Sequence, residues 1–340
     1  MSTTRRPRLA VLLGDPAGVG PEMGVKLLAR AANLEAADVL LVAPQRVLDA
    51  GQRVAGVELP VQAIAGYEGR PAHPGRITHL VQPDTGDAAL GQCSLEAGAA
   101  ALQALSTATD LARAGAVDGI LFAPLNKHSL RLAGMRDEDE LRFMQGRFGV
   151  EGFTCEFNIT GALWTSRVTS HVPVREVADL ITGPAVADAV HIIDAALRRA
   201  GIARPRIAVS GLNPHAGDGG SIGREEIEVI APAIERLRKD GLDASGPWSP
   251  DTVFIAARRG DFDAVVSMYH DQGQIAMKLM GFERGVTLHG GLPVPVATSA
   301  SGSAFDIAGR GVAGIEGLQA AFDLCARMAR QDPAVSACAT

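Results

Sequence analysis

Ala264-Val265-Val266-Ser267-Met268-Tyr269-His270-Asp271-Gln272-Gly273-Gln274 is the stretch from which the fold can be read. Its first five residues are short, mostly apolar and partly β-branched, which predicts a buried strand. His270 and Asp271 then stand where the strand ends. Gly273 permits a sharp change of direction. Ile275 to Met280 predicts a short helix, stopped by Gly281. An imidazole and a carboxylate at the carboxyl end of a buried strand lie where open α/β sheets bind ligands. Taken alone, the same residues also read as a capping Asp beside a hydrogen-bonded His.

Two further stretches repeat the pattern. Ile207-Ala208-Val209-Ser210 runs into Gly211-Leu212-Asn213-Pro214-His215 and a Gly-rich loop. Ser166-Arg167-Val168-Thr169-Ser170 runs into His171. Three imidazoles delivered from strand ends can converge on one cation through neutral ring nitrogens. Their wide spacing proves nothing by itself, and each His alone is more often structural than a ligand.

The 340 residues suffice for two ordinary domains. Hydrophobic residues make up 47%, aromatics only 4%, and Gly is abundant at 39. That favours an Ala/Val/Leu-packed α/β protein. A net charge of -6, with no basic block and no aromatic series, argues against nucleic-acid binding. Cys93, Cys155, Cys325 and Cys338 form no CxxC pair, which fits a reduced, cytoplasmic enzyme. Arg5-Arg6 before Leu9 to Leu13 mimics a targeting signal, but Gly14-Asp15-Pro16 breaks the short apolar run. No apolar stretch is long enough to span a bilayer.

In chain order, Arg8 to Leu13 predicts a first buried strand. Gly14-Asp15-Pro16-Ala17-Gly18-Val19-Gly20-Pro21-Glu22 follows as a loop, with Pro21 suited to the first helical position. Strand, Gly-rich turn and helix can present backbone N–H groups to a ligand, or serve only as a tight turn. Val39 to Ala43 predicts a strand and Gln45 to Ala50 a helix. His73 and His79 are expected at the surface. Leu90 to Ala114 has helical spacing, and Ala116 to Phe122 predicts a strand with Lys127 beyond it, an anion contact or a solvated cation. The charged run Met135 to Arg142 predicts an exposed helix start. Thr154 to Thr165 and Arg167 to His171 predict a strand pair turning at Gly161. Helices are expected at Pro184 to Ala200, from Ile227 to Leu237, and at Ala313 to Arg330. The Gly-, Ser- and Thr-rich run Gly285 to Gly311 suits a cofactor held by backbone and hydroxyl contacts, with Gly291, Ser301 and Gly302 as candidates.

These motifs resemble the 4-hydroxythreonine-4-phosphate dehydrogenases of vitamin B6 synthesis and their relatives. Gly14 to Glu22 is similar to the family's opening motif. Leu212-Asn213-Pro214-His215-Ala216-Gly217 with Glu225-Glu226 is similar to its middle motif. Tyr269-His270-Asp271-Gln272-Gly273, Lys278 and Gly281-Phe282 are similar to its third. Gly291-Leu292-Pro293 and Ile307 to Gly311 match its C-terminal region. The resemblance covers nearly the whole chain. It implies an α/β fold like isocitrate and isopropylmalate dehydrogenases, with two α/β/α domains around a cleft. We place the first domain at 1–130 plus 290–340, and the second, with metal ligands and dimer contacts, at 131–289.

The resemblance further implies a homodimer that uses NAD or NADP to oxidise a secondary alcohol, with loss of CO2 from the β-keto acid. One divalent cation (zinc, cobalt, magnesium or similar) would be held by His171, His215 and His270. Lys278 maps onto a substrate-contacting Lys, and Asp271 is a candidate to orient a His ligand. Departures fall in the substrate site. Glu140-Leu141 stands near the family's His-Thr pair, Thr287 and Val296 stand for its Asn and Arg, and Ala300-Ser301 replaces an Asp-His. Losing a bidentate Arg and gaining a carboxylate both weaken phosphate binding. An unphosphorylated hydroxy acid, or a cyclic diol carboxylate as in terephthalate dihydrodiol dehydrogenase, is therefore an expected alternative substrate. A metal-dependent hydrolase using the same three His to activate water is the alternative class, and a binding protein that has lost activity is a third.

Overall fold

The computed structural model describes residues 5–330, apart from 68 and 70–75. The described residues divide into two compact units, one built from 5–151 and again from 292–330, the other from 152–291. The first boundary lies after 151, where the sequence suggested 130. The helix at 140–148 decides this, because its Leu141 and Met144 share an apolar cluster with Ala101 and Leu105 of the first unit.

The first unit opens with β1 (Arg8–Leu12), α1 (Gly20–Leu28), α2 (Ala31–Ala36), β2 (Asp38–Pro44) and α3 (Gln45–Ala55). It continues with β3 (Val61–Ile64), β4 (Ile77–Gln82), α4 (Leu95–Arg113), β5 (Gly119–Phe122), α5 (Lys127–Leu132) and α6 (Glu140–Phe148). The second unit carries β6 (Cys155–Thr160), β7 (Leu163–Arg167), α7 (Val174–Leu180), α8 (Gly183–Arg199) and β8 (Ile207–Ser210). After a loop come α9 (Ala231–Lys239), β9 (Ala244–Trp248), α10 (Val253–Arg258), β10 (Ala264–Ser267), α11 (His270–Gly281) and β11 (Val286–Gly290). The chain returns to the first unit with β12 (Val296–Ser299) and α12 (Glu316–Ala329).

In the first unit the strands run β3-β4-β2-β1-β5-β12, every pair parallel. Their continuous apolar runs fit that arrangement, since a parallel sheet is covered on both faces. Leu12, Leu40, Val42, Leu105, Ile120 and Phe122 form its core. In the second unit the order is β11-β6-β7-β10-β8-β9. Here β6 runs antiparallel to both neighbours. It therefore alternates, burying Cys155, Phe157 and Ile159 while Glu156, Asn158 and Thr160 are half-buried. That alternation keeps a polar row open beside β7.

Several expectations are corrected. The helix after β10 starts at His270, and Gly273 lies inside it as a buried residue. A Cβ there would stand 3.1 Å from Ser267 Oγ, so Gly273 serves a close approach of helix to strand and no turn. His79 is fully buried in β4, where its Nε2 bonds the Ala43 carbonyl at 2.9 Å, and burial holds its pKa below the usual value. His73 lies outside the described residues. Asp139 and Glu140 are buried rather than solvated, and Asp139 caps α6 by accepting from the Arg142 amide at 2.8 Å. The run from Gly285 to Gly311 holds two strands, β11 and β12.

Candidate active site

The register of β7, β10 and β8 builds the site in the second unit. Ser267 of β10 pairs with Arg167 of β7, and Val266 pairs with Val209 of β8. Beyond the strand ends the ladder continues, with the Val168 and Thr169 amides donating to Ser267 and Met268 carbonyls at 2.9 and 3.0 Å. The Thr169 hydroxyl adds a bond to the Met268 carbonyl at 2.8 Å. Two chains held this way past their strands deliver His171 and His270 side by side, with ring centroids 5.8 Å apart.

His270 begins α11, and its Nδ1 lies 2.7 Å from Asp271 Oδ1. When Nδ1 carries the proton and donates to that carboxylate, the Nε2 lone pair is left for a ligand. Gln272 fixes the same corner from both sides. Its Oε1 accepts from the Met268 amide at 2.8 Å, and its Nε2 donates to the Gly211 carbonyl at 3.1 Å. The second bond ties α11 to the loop that carries His215.

That loop has unusual backbone. His215, Ala216, Gly217, Asp218 and Gly219 all take positive φ, from 43° to 81°. Three of the five carry a Cβ, for which the left-handed region is unfavourable. Glu226 holds the turn in place. It is 2% exposed, and its Oε1 accepts from the Leu212 and Asn213 amides at 2.8 and 2.7 Å. Its Oε2 accepts from Asn213 Nδ2 at 3.0 Å. A Cβ on Gly217 would come within 2.7 Å of the same carboxylate. The place of Glu226 at the acidic start of the helix expected from Ile227 to Leu237 gives no local sign of this role.

Arg167 was also missed. It is 4% exposed at the end of β7. Its Nε donates to Ser170 Oγ at 2.9 Å, Nη1 to Asn158 Oδ1 at 2.9 Å and Nη2 to Glu156 Oε2 at 3.2 Å. Gln274 of α11 reaches the same Asn158 oxygen at 2.6 Å. An Arg closing a short strand, opposite a strand with polar residues at alternate positions, was the available signal.

The chain matches the model of the pyridoxal phosphate biosynthetic protein PdxA over residues 35–325. The chain belongs to the PdxA family. The "Putative 4-hydroxythreonine-4-phosphate dehydrogenase 2" of Pseudomonas aeruginosa is 49% identical over 335 residues, 97% of this chain and 99% of that one. The crystal structure of 4-hydroxythreonine-4-phosphate dehydrogenase from Klebsiella pneumoniae matches with a TM-score of 0.81 at 35% identity, over 97% of this chain and 100% of that one. A terephthalate 1,2-cis-dihydrodiol dehydrogenase from Burkholderia xenovorans is further away, with a TM-score of 0.66 and 27% identity over 92% and 96% of the two chains. PdxA members are dehydrogenases acting on a CH–OH group, so this chain is read as an oxidoreductase and the hydrolase alternative is set aside.

For a PdxA chain the remaining expected site residues are scattered. Lys278 lies two turns beyond His270 on α11, roughly 12 Å along the helix axis, and is exposed. Thr287 is half-buried on β11, opposite Asn158. Leu141 and Val296 are 2% and 0% exposed in the core of the first unit, and Glu140, next to Leu141 in sequence, is also buried. Gly291 has φ +85° and leaves no room for a Cβ, which would stand 2.6 Å from the Phe153 carbonyl. Ser301 and Gly302 are exposed in the first unit, with Ser301 Oγ 2.9 Å from Ser299 Oγ.

Proposed function

We propose that the protein is an NAD(P)-linked, metal-dependent dehydrogenase of a phosphorylated hydroxy acid of the 4-hydroxythreonine-4-phosphate type. The reading is carried by one observation, the His171–His270 pair with Asp271 on His270 Nδ1. That donor set suits a divalent cation, since neutral imidazoles are common ligands and a carboxylate behind one of them fixes its tautomer. His171, His215 and His270 are proposed to hold it. A cation there supplies positive charge that makes a neighbouring hydroxyl more acidic, while the nicotinamide supplies the acceptor for the carbinol hydride.

The protein's own residues supply the geometry. Asp271 orients His270, Gln272 locks α11 to the His215 loop, and Arg167 and Glu226 stiffen the two backbones that carry His171 and His215. Lys278, one helical face and two turns away, is assigned to the anionic far end of the substrate. Loss of CO2 follows where the substrate carboxylate lies β to the new ketone. We propose that the enzyme works as a cytoplasmic homodimer, as the family resemblance implies. Among the described residues no single helix is long and apolar enough to cross a membrane.

Names among the similar proteins support a phosphorylated substrate over the cyclic diol carboxylate. A substrate panel with NAD and NADP tests this. We expect 4-hydroxythreonine-4-phosphate to be turned over with kcat/KM above about 10⁴ M⁻¹s⁻¹. The dephosphorylated compound should be at least a hundredfold poorer, since each lost charge-assisted hydrogen bond costs roughly 1.5–3 kcal/mol. Faster turnover of the unphosphorylated acid or of a cyclic diol carboxylate would overturn the assignment.

A further inference from the structure

His171 and His270 stand on different elements, one beyond β7 and the other at the start of α11. Cation–imidazole bonds hold to within about 0.2 Å, so the spacing of those two elements decides whether both rings reach one ion. The backbone ladder past β7 and β10 stops at Met268, and the Gln272 bonds act within the first turn of α11. One side chain reaches further along both elements.

That side chain is Asn158. It lies on β6, opposite Thr165 of β7 and Thr287 of β11, in the half-buried polar row that alternates with Phe157 and Ile159. Its Oδ1 accepts from Arg167 Nη1 at 2.9 Å and from Gln274 Nε2 at 2.6 Å. A guanidinium only donates, so the oxygen of the amide must face Arg167, and its two lone pairs match the two donors.

Each donor leads to one histidine. Arg167 ends β7, and its Nε donates at 2.9 Å to Ser170 Oγ, the residue before His171. Gln274 lies four residues after His270, one turn along the same face of α11. Charge balance does not explain the arrangement, because Glu156 Oε2 already sits 3.2 Å from Arg167 Nη2. What Asn158 adds is geometric, since a strand segment and a helix are bonded to one atom of a third element.

We propose that Asn158 is a positioning residue for the cation site, its Oδ1 setting the separation of His171 and His270 by tying Arg167 of β7 to Gln274 of α11. The proposal rests on the reading that these histidines hold a divalent cation. In this role Asn158 acts only through Arg167 and Gln274.

Cobalt(II) alone, titrated into the intact protein and followed by its visible absorbance, tests it. Asn158→Leu keeps the bulk and removes the acceptor. It should bind cobalt at least tenfold more weakly than the wild type, with displaced absorption bands. Asn158→Asp keeps an oxygen for both donors and should restore the wild-type bands and most of the affinity. Gln274→Met cuts one tie, and should weaken cobalt binding in the wild type but add little in Asn158→Leu, since the two act through one bond. Melting curves check that each variant folds. If the wild type binds no cobalt, the cation reading fails together with this proposal. If the wild type binds but folded Asn158→Leu keeps its affinity and bands, or Asn158→Asp is as poor as Asn158→Leu, the proposal fails and the cation reading stands. Should Asn158→Leu not fold, Gln274→Met decides, and wild-type affinity and bands in that variant overturn the proposal.

Discussion

Removing Glu226 should release the loop that carries His215. In Glu226→Ala, the Leu212 and Asn213 amides lose an acceptor at 2.8 and 2.7 Å, and Asn213 Nδ2 loses one at 3.0 Å. A hydrogen bond to a charged acceptor is worth roughly 1.5–3 kcal/mol, so the two half-buried backbone amides alone cost about 3–6 kcal/mol. Against this stands the backbone. His215, Ala216 and Asp218 sit at φ 55°, 54° and 43°, each unfavourable by roughly 1–2 kcal/mol. The anchoring and the strain are of one size, so the loop should relax once the anchor is gone. Glu226→Gln keeps the shape but places an NH2 group where either a backbone donor or Asn213 Nδ2 already points, and about 2–3 kcal/mol is expected from weakened charge-assisted bonds. Urea unfolding measures the stability loss. Cobalt(II) absorbance titration measures whether His215 still joins His171 and His270. We expect both variants to unfold at lower urea and to bind cobalt at least tenfold more weakly, with Glu226→Gln the milder. Wild-type midpoints and wild-type cobalt affinity in both would refute the argument.

Two further substitutions test the first unit. Gly98→Ala in α4 should destabilise, against the usual gain of about 1 kcal/mol for Ala over Gly in a helix, because the new Cβ would stand 1.8 Å from the Ser129 carbonyl; a melting curve at or above wild type would contradict the packing. Asp15 is fully buried, and burial raises its pKa despite the Ala17 amide bond and the neighbouring Ser129. A carboxyl raised in the folded state favours folding less as pH climbs above its unfolded pKa of about 3.9. Asp15→Asn should therefore be more stable than wild type at pH 7, with the difference shrinking toward pH 4, and urea midpoints across that range would show the opposite slope if the carboxylate were stabilising.

The α/β class was legible from local pattern, because a strand buried on both faces must be an apolar run and such runs stand at Leu9 to Leu12, Ile207 to Val209 and Ala264 to Val266. The strand-end setting of His171, His215 and His270 was legible for the same reason, since each follows such a run or its edge. The neighbour relations were not, because strand order depends on contacts far apart in sequence. Only the pairing of β10 with both β7 and β8 brings His270 beside His171 and ties it to the His215 loop. Burial of charge was equally invisible. Asp139 and Glu140 read as surface residues from their chemistry, and for Arg167 only tertiary partners such as Asn158 and Glu156 make burial tolerable. The left-handed turn at His215 was hidden in the same way. Gly217 and Gly219 hinted at it, but His215, Ala216 and Asp218 have no local preference for that conformation. It is the distant carboxylate of Glu226, accepting the Leu212 and Asn213 amides, that holds the turn where the sequence alone would not.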